Sequence, residues 1–454
     1  MNRRIQFFLT VSASAALMCL FAVNEASAQV AGVQVDAQGV LRVHVRRDAG
    51  GRLSLQRRAA ARANLNAEVA NQSELRKVSL NRLEAAVEQC IREGRDPNAD
   101  MLHMAGLQRI QYVFFYPDAK DVVIAGPAEG WYEDLSGRQR GVTTDKPVLL
   151  LEDMVVALRA FAPGKKSPRN VGCSIDPTQE GLQRMQQFLA KVGRNATPNN
   201  TRFIVDGLQQ SLGLQTVTVN GVPASTHFAQ VMVEADYRMK LIGIGLEQPP
   251  VKMASYVQLV NPAAVSRNAM QRWYFTPNYD CVKVTEDREA MELVGLGVKL
   301  ISEDELVSQN GARAVAGTTN RASELFVQGF TKKYPDLAAK SPVYAQLRNL
   351  IDMLVASAFM QQEGYFAKAD WDLKVFGNEK LFEVETHNVP AHVNSTVNSI
   401  WKGRTLMTPV GGGIEISARR ALESSRLMSD EDGKLEKTRK DVGLDLAKDQ
   451  WWWD

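Results

Sequence analysis

The residues best suited to chemistry lie in one short segment, EVETH at 383–387, with His392 five residues further on. Alternate residues of a β-strand project to one face, so a strand here would place Glu383, Glu385 and His387 side by side. Carboxylates and imidazoles are ligands of zinc and similar ions. A solvated strand face is the interpretation we favour, because a single strand seldom builds a complete metal site. Glu385, His387 and His392 are the metal-binding candidates.

A second group of candidates is suited to acid–base catalysis. His227 stands at the start of a predicted helix, where it can act as a general base with a pKa lowered by the helix dipole. Help in capping that helix is the interpretation we favour. Asp236 on the same helix and Glu133 in the loop 126–134 add carboxylates, but paired carboxylates hydrolyse glycosides only when they face each other across a cleft. His227, Glu133 and Asp236 are the catalytic candidates.

Motifs of the well-known enzyme classes do not occur in the sequence. It contains no HExxH, GxSxG or P-loop pattern. The GxG sequences at 243–245 and 295–297 lack the third glycine of a dinucleotide site, and helix termination and strand spacing explain them. We therefore predict no cofactor and favour a protein that is not an enzyme.

The first 28 residues are arranged as a secretory signal peptide. Two arginines provide a basic start, 5–23 is an uncharged run rich in apolar residues, and 26–28 is a small-residue cleavage site. A retained membrane anchor is the alternative, but a spanning helix needs about 20 predominantly apolar residues. We predict cleavage between Ala28 and Gln29, no transmembrane segment after cleavage, and a secreted or periplasmic location.

Composition is typical of an ordinary globular protein. The net charge of +3 over 454 residues implies neither nucleic acid nor an acidic substrate as a partner. The length exceeds what one core normally serves, so we expect two or three subdomains. Cys90, Cys173 and Cys281 follow the signal peptide and are far apart in sequence. Their odd number and wide spacing argue against a disulfide framework.

The spacing of apolar residues predicts the elements that must position the candidates. One predicted helix covers 57–94, of which 57–72 is a looser helix or a linker. A second starts at Glu152-Asp153 within 144–162. Further predicted helices cover 176–192, 203–212, 226–242, 321–334 and 342–363, and the last of them is predicted to be a central core helix. Predicted strands cover 32–45 as a hairpin, 109–116, 121–125, 171–175, 216–219, 271–276, 279–285, 292–301 and 373–417.

Local features complete this pattern. Asp176, followed by a proline, is the predicted N-cap of its helix. Ser79 is the predicted cap of the helix that follows it, Ser225 or Thr226 caps the helix at 226–242, and 36–39 is the turn of the predicted hairpin. Residues 271–301 are predicted to form an antiparallel meander, and 411–413 a tight turn between two strands. Helices and strands alternate early and antiparallel runs dominate later. This order predicts an α+β fold of mixed and antiparallel sheets packed with amphipathic helices, in two or three subdomains, rather than a doubly wound sheet.

The same pattern divides the chain into five segments. They are the signal peptide at 1–28, an N-terminal hairpin and helix at 29–95, an α/β subdomain at 96–260, an α+β subdomain with its central helix at 261–420, and a charged tail at 421–454.

The charged tail ends in three consecutive tryptophans, Trp451, Trp452 and Trp453, followed by Asp454. Three exposed tryptophans would be an apolar liability. They can dock into a groove on their own domain, engage a partner in the cell envelope, or touch a lipid interface. We favour docking or partner contact over a disordered tail.

Three stretches stand out together: GLQRIQYV at 106–113, AGPAEGW at 125–131, and the run from THF at 226–228 through VEADYRMK at 233–240 to GLE at 245–247. They resemble a family of large exported proteins from planctomycete-type bacteria that contain a domain of unknown function. The resemblance is densest from 107 to 247. It implies an exported bacterial protein and transfers no catalytic residue.

Two hypotheses for function follow. The first is a non-enzymatic binding or structural component of the bacterial cell envelope. The second is an exported hydrolase with its site near 126–134 and 226–227. A pocket that collects Trp131, Glu133, His227 and Asp236 would favour the enzyme, and a surface that keeps these groups apart would favour the binding protein.

Overall fold

The structure is a computed structural model that describes residues 28–192, 197–261, 269–316, 320–398, 410–442, 446–447 and 450–454. Residues 1–27 of the predicted signal peptide lie outside the described residues, which begin at its last residue, Ala28. Among the described residues, no helix combines the length and the apolar character that crossing a membrane requires.

The helices, in chain order, are α1 (Arg52–Asn64), α2 (Ala67–Ala70), α3 (Leu80–Arg92), α4 (Ala99–Leu102), α5 (Leu151–Ala160), α6 (Gln179–Val192), α7 (Thr201–Leu212), α8 (His227–Gly243), α9 (Tyr256–Leu259), α10 (Arg321–Lys340), α11 (Pro342–Gln362), α12 (Tyr365–Lys368), α13 (Ala418–Ala421) and α14 (Lys434–Asp441).

The strands are β1 (Ala28–Val35), β2 (Val40–Asp48), β3 (Ser73–Ser79), β4 (Tyr112–Tyr116), β5 (Asp121–Ala128), β6 (Trp131–Glu133), β7 (Gln139–Gly141), β8 (Val171–Asp176), β9 (Leu214–Asn220), β10 (Ala269–Pro277), β11 (Val282–Val284), β12 (Ala290–Leu293), β13 (Val298–Val307), β14 (Arg313–Val315), β15 (His392–Asn394), β16 (Val410–Ile416), β17 (Met428–Ser429) and β18 (Trp452–Trp453).

Two large sheets confirm the predicted α+β class. A nine-stranded sheet has the order β1-β2-β15-β9-β8-β16-β10-β13-β14, and a seven-stranded sheet has the order β17-β11-β12-β4-β5-β3-β18. Most neighbours are antiparallel, but β10–β16, β15–β2 and β11–β17 are parallel pairs. Both sheets take strands from several of the five predicted segments, so those segments interleave in space. Their boundaries stay a prediction.

The predicted meander is wrong, because its strands divide between the two sheets. β10 pairs with β13 in the nine-stranded sheet, whereas β11 and β12 pair with each other in the seven-stranded sheet. The N-cap prediction at Asp176 is also wrong. The Thr178 hydroxyl accepts the Gly181 N–H at the start of α6, and the Asp176 carboxylate instead bonds Arg272 and Arg313.

The glycines at 411–413 lie inside β16 and do not form the predicted turn. β16 runs between β8 and β10, and a side chain on its glycines would strike their backbones. A Cβ on Gly412 would lie 1.9 Å from the Trp273 oxygen, and one on Gly413 would lie 2.1 Å from the Cys173 oxygen. Glycine is therefore required here for close backbone approach in a central strand.

The structure confirms the predicted turn at Asp36 and the predicted cap at Ser79, which depend only on residues close in sequence. The hairpin β1–β2 turns at Asp36, whose carboxylate accepts the N–H groups of Gln38 and Val40. Ser79 caps α3 through the Arg82 N–H. The predicted helix over 57–94 is wrong at 73–79, where the chain forms β3. β3 pairs with β5 and β18, and its own sequence does not indicate these distant partners.

The centre of the molecule is α11, which is buried along almost its whole length, as its continuous apolar sequence predicts. It packs against α5, α8, α10 and α13. Some of its polar residues have partners, for example Asp352, whose carboxylate accepts Arg109 Nε at 2.9 Å. Any residue near the start of α5 or α8 is therefore held against this central helix.

The chain's final described residues dock on its own seven-stranded sheet. β18 pairs antiparallel with β3, and Trp451 and Trp453 are buried. The fully buried Arg76 donates from Nε and Nη2 to the two Asp454 carboxylate oxygens, each at 2.8 Å. The Trp452 ring lies 4.7 Å from the Arg76 guanidinium carbon. Docking on the chain's own domain is thus the role seen for Trp451, Trp452 and Trp453, and an envelope partner for them stays a prediction.

The described cysteines confirm that a disulfide framework is not used. Cys90, Cys173 and Cys281 are all buried and free. Each occupies a core position as a small apolar side chain.

Candidate carboxylate–histidine centre

Two of the three metal-binding candidates meet a residue from a distant part of the chain. The ligand atoms of Glu152, Glu385 and His387 all lie within 4.8 Å of one another. Asp153 and His227 adjoin this group through a hydrogen bond from His227 Nδ1 to Asp153 Oδ2 of 2.8 Å. We call these five residues the carboxylate–histidine centre.

Glu152 and Asp153 lie in the first turn of α5. Backbone N–H groups there have no helical partner, and the helix dipole favours negative charge. The sequence after them is apolar, so α5 is buried against α11 and takes both acids inward. Asp153 is 4% exposed, and Glu152 is half-buried.

His227 is the first residue of α8. Thr226 caps this helix, because its hydroxyl accepts the Ala229 N–H at 3.2 Å, as the sequence predicts. His227 therefore has no capping role and turns towards Asp153 on α5. Its ring centroid lies 6.2 Å from that of His387.

Glu385 and His387 lie in the segment 377–391, which is an irregular loop and not the predicted strand. We call it the site loop. Arg159 of α5 donates to the backbone oxygens of Phe376 and Phe382 at 2.7 and 2.6 Å. The His387 backbone N–H donates to the Ser225 oxygen at 2.7 Å, just before α8. The loop is thus fixed to the same two helices that carry the other three residues of the centre.

Like charges crowd the centre. Burial, together with the neighbouring Asp153 and Glu385 carboxylates, raises the pKa of Glu152 to about 7, although His227 opposes this effect. Burial lowers the pKa of His387, which keeps that ring neutral, although Glu385 opposes this effect.

The pKa of His227 moves opposite to the prediction. Burial lowers it, but the Asp153 carboxylate more than offsets burial, and the pKa is raised. The helix dipole that motivated the prediction is a weaker effect than a bonded carboxylate.

Three buried polar atoms of the centre have no hydrogen-bond partner among the described residues. They are Glu152 Oε2, Asp153 Oδ1 and His387 Nε2. Buried polar groups are normally satisfied. Glu152 and His387 belong to the ligand group, so a cation bound there would satisfy two of these atoms.

A second layer of polar side chains supports His227. Gln346 of α11 places its amide nitrogen 3.5 Å from His227 Nε2. Arg138 Nε donates to the Gln346 side-chain oxygen at 2.8 Å, and this bond fixes which end of the amide faces the ring. Arg138 also pairs with the buried Glu234, so the support extends into α8.

A cleft of about 820 Å³ opens beside the centre. Its walls include α5 at Val156 and Arg159, the α8 cap at Thr226, and the site loop at Glu385. The exposed Glu385 side chain joins the cleft to the centre. A small molecule in the cleft therefore reaches the centre at Glu385.

The other candidates lie elsewhere. Glu133 is exposed and pairs with Arg57 at 3.1 Å. Asp236 is fully buried and pairs with Lys240 at 2.8 Å. Trp131 is buried against the His103 ring. Asp236 also stands nine residues along α8 from His227, about 13 Å along the axis. Because each of these residues has a separate partner, the described residues contain no site shared by Trp131, Glu133, His227 and Asp236.

His392 is separated from the centre as well. It opens β15, where it pairs with β2 and β9, and it is absent from the ligand group formed by the described residues. Sequence reasoning missed Glu152 and Asp153 as site residues. The available signal was an acidic pair that precedes an unusually apolar helix, since such a helix buries its own first turn.

Glu152→Gln is expected to stabilise the chelator-treated protein at pH 8 and to have little effect at pH 5. The Glu152 pKa is raised to about 7 from 4.5, so the folded state holds a proton between these values that the unfolded state lacks. Stability from this group is present below pH 4.5 and lost as the pH rises through 7. We expect a gain of about 1–3 kcal/mol at pH 8, measured by thermal denaturation. Glu133→Gln is the exposed control, and an equal effect of Glu152→Gln at both pH values would contradict the account.

Comparison with known proteins identifies one region. A family model described as a protein of unknown function (DUF1598) matches residues 173–256. No curated protein and no solved structure matches the chain. The matched region runs from β8 to the start of α9, so it contains His227 and excludes Glu152, Asp153 and the site loop. The predicted domain of unknown function is therefore present over this part of the chain.

Proposed function

We propose that this protein is an exported metal-binding protein whose carboxylate–histidine centre holds one divalent transition-metal ion. The main support is the convergence of Glu152, Glu385 and His387, whose ligand atoms lie within 4.8 Å of one another. Metal–ligand bonds are about 2.0–2.2 Å long, so two ligand atoms of one ion lie at most about 4.4 Å apart. A small movement of the exposed Glu385 side chain would therefore bring all three atoms to one ion.

The donor set favours a transition metal over calcium or magnesium. Ca²⁺ and Mg²⁺ prefer all-oxygen shells, whereas an imidazole nitrogen suits Zn²⁺, Fe²⁺ and similar ions. The lowered pKa of His387 keeps the ring in the neutral form that binds metals. Two carboxylates with one imidazole match Zn²⁺ or Mn²⁺ chemistry.

Charge supports the same proposal. Glu152, Asp153 and Glu385 bring three carboxylates together, and His227, which bonds Asp153, is charged only when protonated. A divalent ion would balance the remaining negative charge. It would also satisfy the buried oxygen of Glu152 and the buried nitrogen of His387 that lack partners among the described residues.

Metal content provides the test. The chain from Gln29 onward, dialysed against Zn²⁺ and then against buffer, is expected to retain one equivalent by elemental analysis. Excess Mg²⁺ should not displace it. His387→Ala and Glu385→Gln should each weaken binding by at least about tenfold, because each removes a direct ligand.

His392→Ala is the matched control, since it removes a nearby histidine that lies outside the centre, and it should bind Zn²⁺ as the unsubstituted chain does. Equal loss in His392→Ala and His387→Ala would place the ion elsewhere. Failure of the unsubstituted chain to retain an ion would contradict the proposal.

The proposed site of action is outside the cytoplasm, as a soluble binding component of the bacterial envelope or a secreted protein. The support is the basic start, the apolar run at 5–23 and the small residues at 26–28, the arrangement of a cleaved signal peptide.

N-terminal sequencing of the protein recovered outside the cytoplasm should begin at Gln29. Ala28→Arg should block processing, because the cleavage site requires a small residue there, while Ala31→Ser should be processed normally. Recovery of a chain in the cytoplasm that still begins at its first residues would contradict export.

A further inference from the structure

We propose that residues 40–64 form a surface that binds the anionic headgroups of a lipid bilayer. We call this segment, which contains β2 and α1, the basic corner. The proposal does not depend on the metal site, and it gives the chain a partner of stated chemistry, an anionic lipid surface.

The charge of the basic corner differs from that of the rest of the chain. The corner contains seven arginines and one acidic residue, Asp48, so its net charge is +6 with His44 neutral. The whole chain carries +3, and the remaining residues are therefore net negative. Positive charge is thus concentrated in 25 residues, as expected of a surface that attracts an anion-rich partner.

The second half of β2 runs beyond its neighbour in the nine-stranded sheet. β15 pairs with β2 only at Val40 and Leu41, whereas β1 follows β2 as far as Asp48. Past Leu41, β1 and β2 therefore form a two-stranded ribbon. All of 42–47 is exposed except the half-buried Val43, so the ribbon offers its arginines to a partner.

Asp48 connects the ribbon to α1 and fixes the corner between them. Its buried carboxylate accepts the N–H groups of Leu53 and Ser54 at 3.0 and 2.9 Å, and the Ser54 hydroxyl at 2.8 Å. Backbone donors in the first turn of a helix have no helical partner, and Asp48 satisfies two of them. The only acid of the corner is therefore turned inward, away from a bound surface.

The arginines of the corner divide into an inward and an outward set. Arg57 and Arg58 pair with carboxylates near β6 and β7, which holds α1 against the seven other residues of that hairpin's surroundings only through its inner side. Arg46, Arg47 and Arg52 are exposed and form no ion pair among the described residues. A guanidinium binds phosphate oxygens in a bidentate manner, so these three are the proposed headgroup contacts.

The outward face of α1 carries mainly small and apolar residues. No residue of α1 is buried, but those at 54, 58 and 61 are half-buried and recur at helical spacing, which makes them the inward stripe. The other side of the helix presents exposed alanines at 59, 60 and 63. Leu53 and Leu55, which are 44% and 64% exposed, flank them.

This combination favours a lipid surface over a nucleic acid or an anionic polysaccharide. Such polyanions offer acidic groups but no hydrocarbon for Val45, Leu53 and Leu55, each of which is at least 44% exposed. At an anionic bilayer, basic side chains meet the headgroups while apolar side chains beside them enter the boundary with the acyl chains. The apolar area is small here, so charge supplies most of the attraction.

Vesicle flotation tests the proposal. The chain from Gln29 onward, which lacks the apolar run at 5–23, should float with vesicles of phosphatidylglycerol and phosphatidylcholine but not with phosphatidylcholine alone. Salt at about 0.5 M should release it, because the Debye length shortens. Each free arginine contributes about fivefold, so Arg46→Gln/Arg47→Gln/Arg52→Gln should lower the partition coefficient by about 100-fold.

The matched control is Lys332→Gln/Lys340→Gln/Lys437→Gln, which removes the same charge from exposed positions on α10 and α14 and should float as the unsubstituted chain does. Equal losses in the two triple variants would overturn the basic corner as the binding surface. The far-ultraviolet circular dichroism of every variant should match that of the unsubstituted chain.

A second variant separates lipid from other polyanions. Leu53→Gln/Leu55→Gln should also weaken flotation, because it removes the hydrocarbon contact, whereas Leu246→Gln, at an exposed leucine outside the corner, should not. Undiminished flotation of Leu53→Gln/Leu55→Gln, or no flotation of the unsubstituted chain, would overturn the proposal. Retention of Zn²⁺ is measured separately, so either failure leaves the proposed metal site untouched.

Discussion

The burial of α11 is the constraint on which the rest of the structure depends. A helix that is buried along almost its whole length must be covered on every side, and α5, α8, α10 and α13 cover this one. Two of these covering helices begin beside each other, so Asp153 of α5 meets His227 of α8. The site loop is bonded to the same two helices. Residues more than 200 positions apart in sequence thus meet because they cover one buried helix.

The same burial creates an electrostatic imbalance at the centre. Some other buried charges have direct counter-charges, as in Lys240 with Asp236 and Arg76 with Asp454. The buried Glu129 carboxylate instead accepts several hydrogen bonds. An uncompensated buried charge is strongly destabilising. At the centre, three carboxylates face one histidine that is charged only when protonated. The high pKa of Glu152 expresses that imbalance, and a bound cation is the physical means by which it would be removed.

The fold was predictable where local chemistry decides it. The Ser79 and Thr226 caps, the Asp36 turn and the continuous apolar run of α11 all act within a few residues. The elements that were predicted wrongly depend on partners distant in sequence. β3 is a strand because β5 and β18 flank it, and the glycines of β16 permit approach to β8 and β10. Glu385 and His387 were recognised by residue type, but Glu152 could join them only through the packing of α5.

Anomalous X-ray diffraction at the zinc absorption edge, from crystals of the zinc-loaded chain, would locate the proposed ion. The account predicts one strong anomalous peak at bonding distance, about 2.0–2.2 Å, from a carboxylate oxygen of Glu152, a carboxylate oxygen of Glu385 and a ring nitrogen of His387. A peak at other residues, or none within reach of these three side chains, would contradict it.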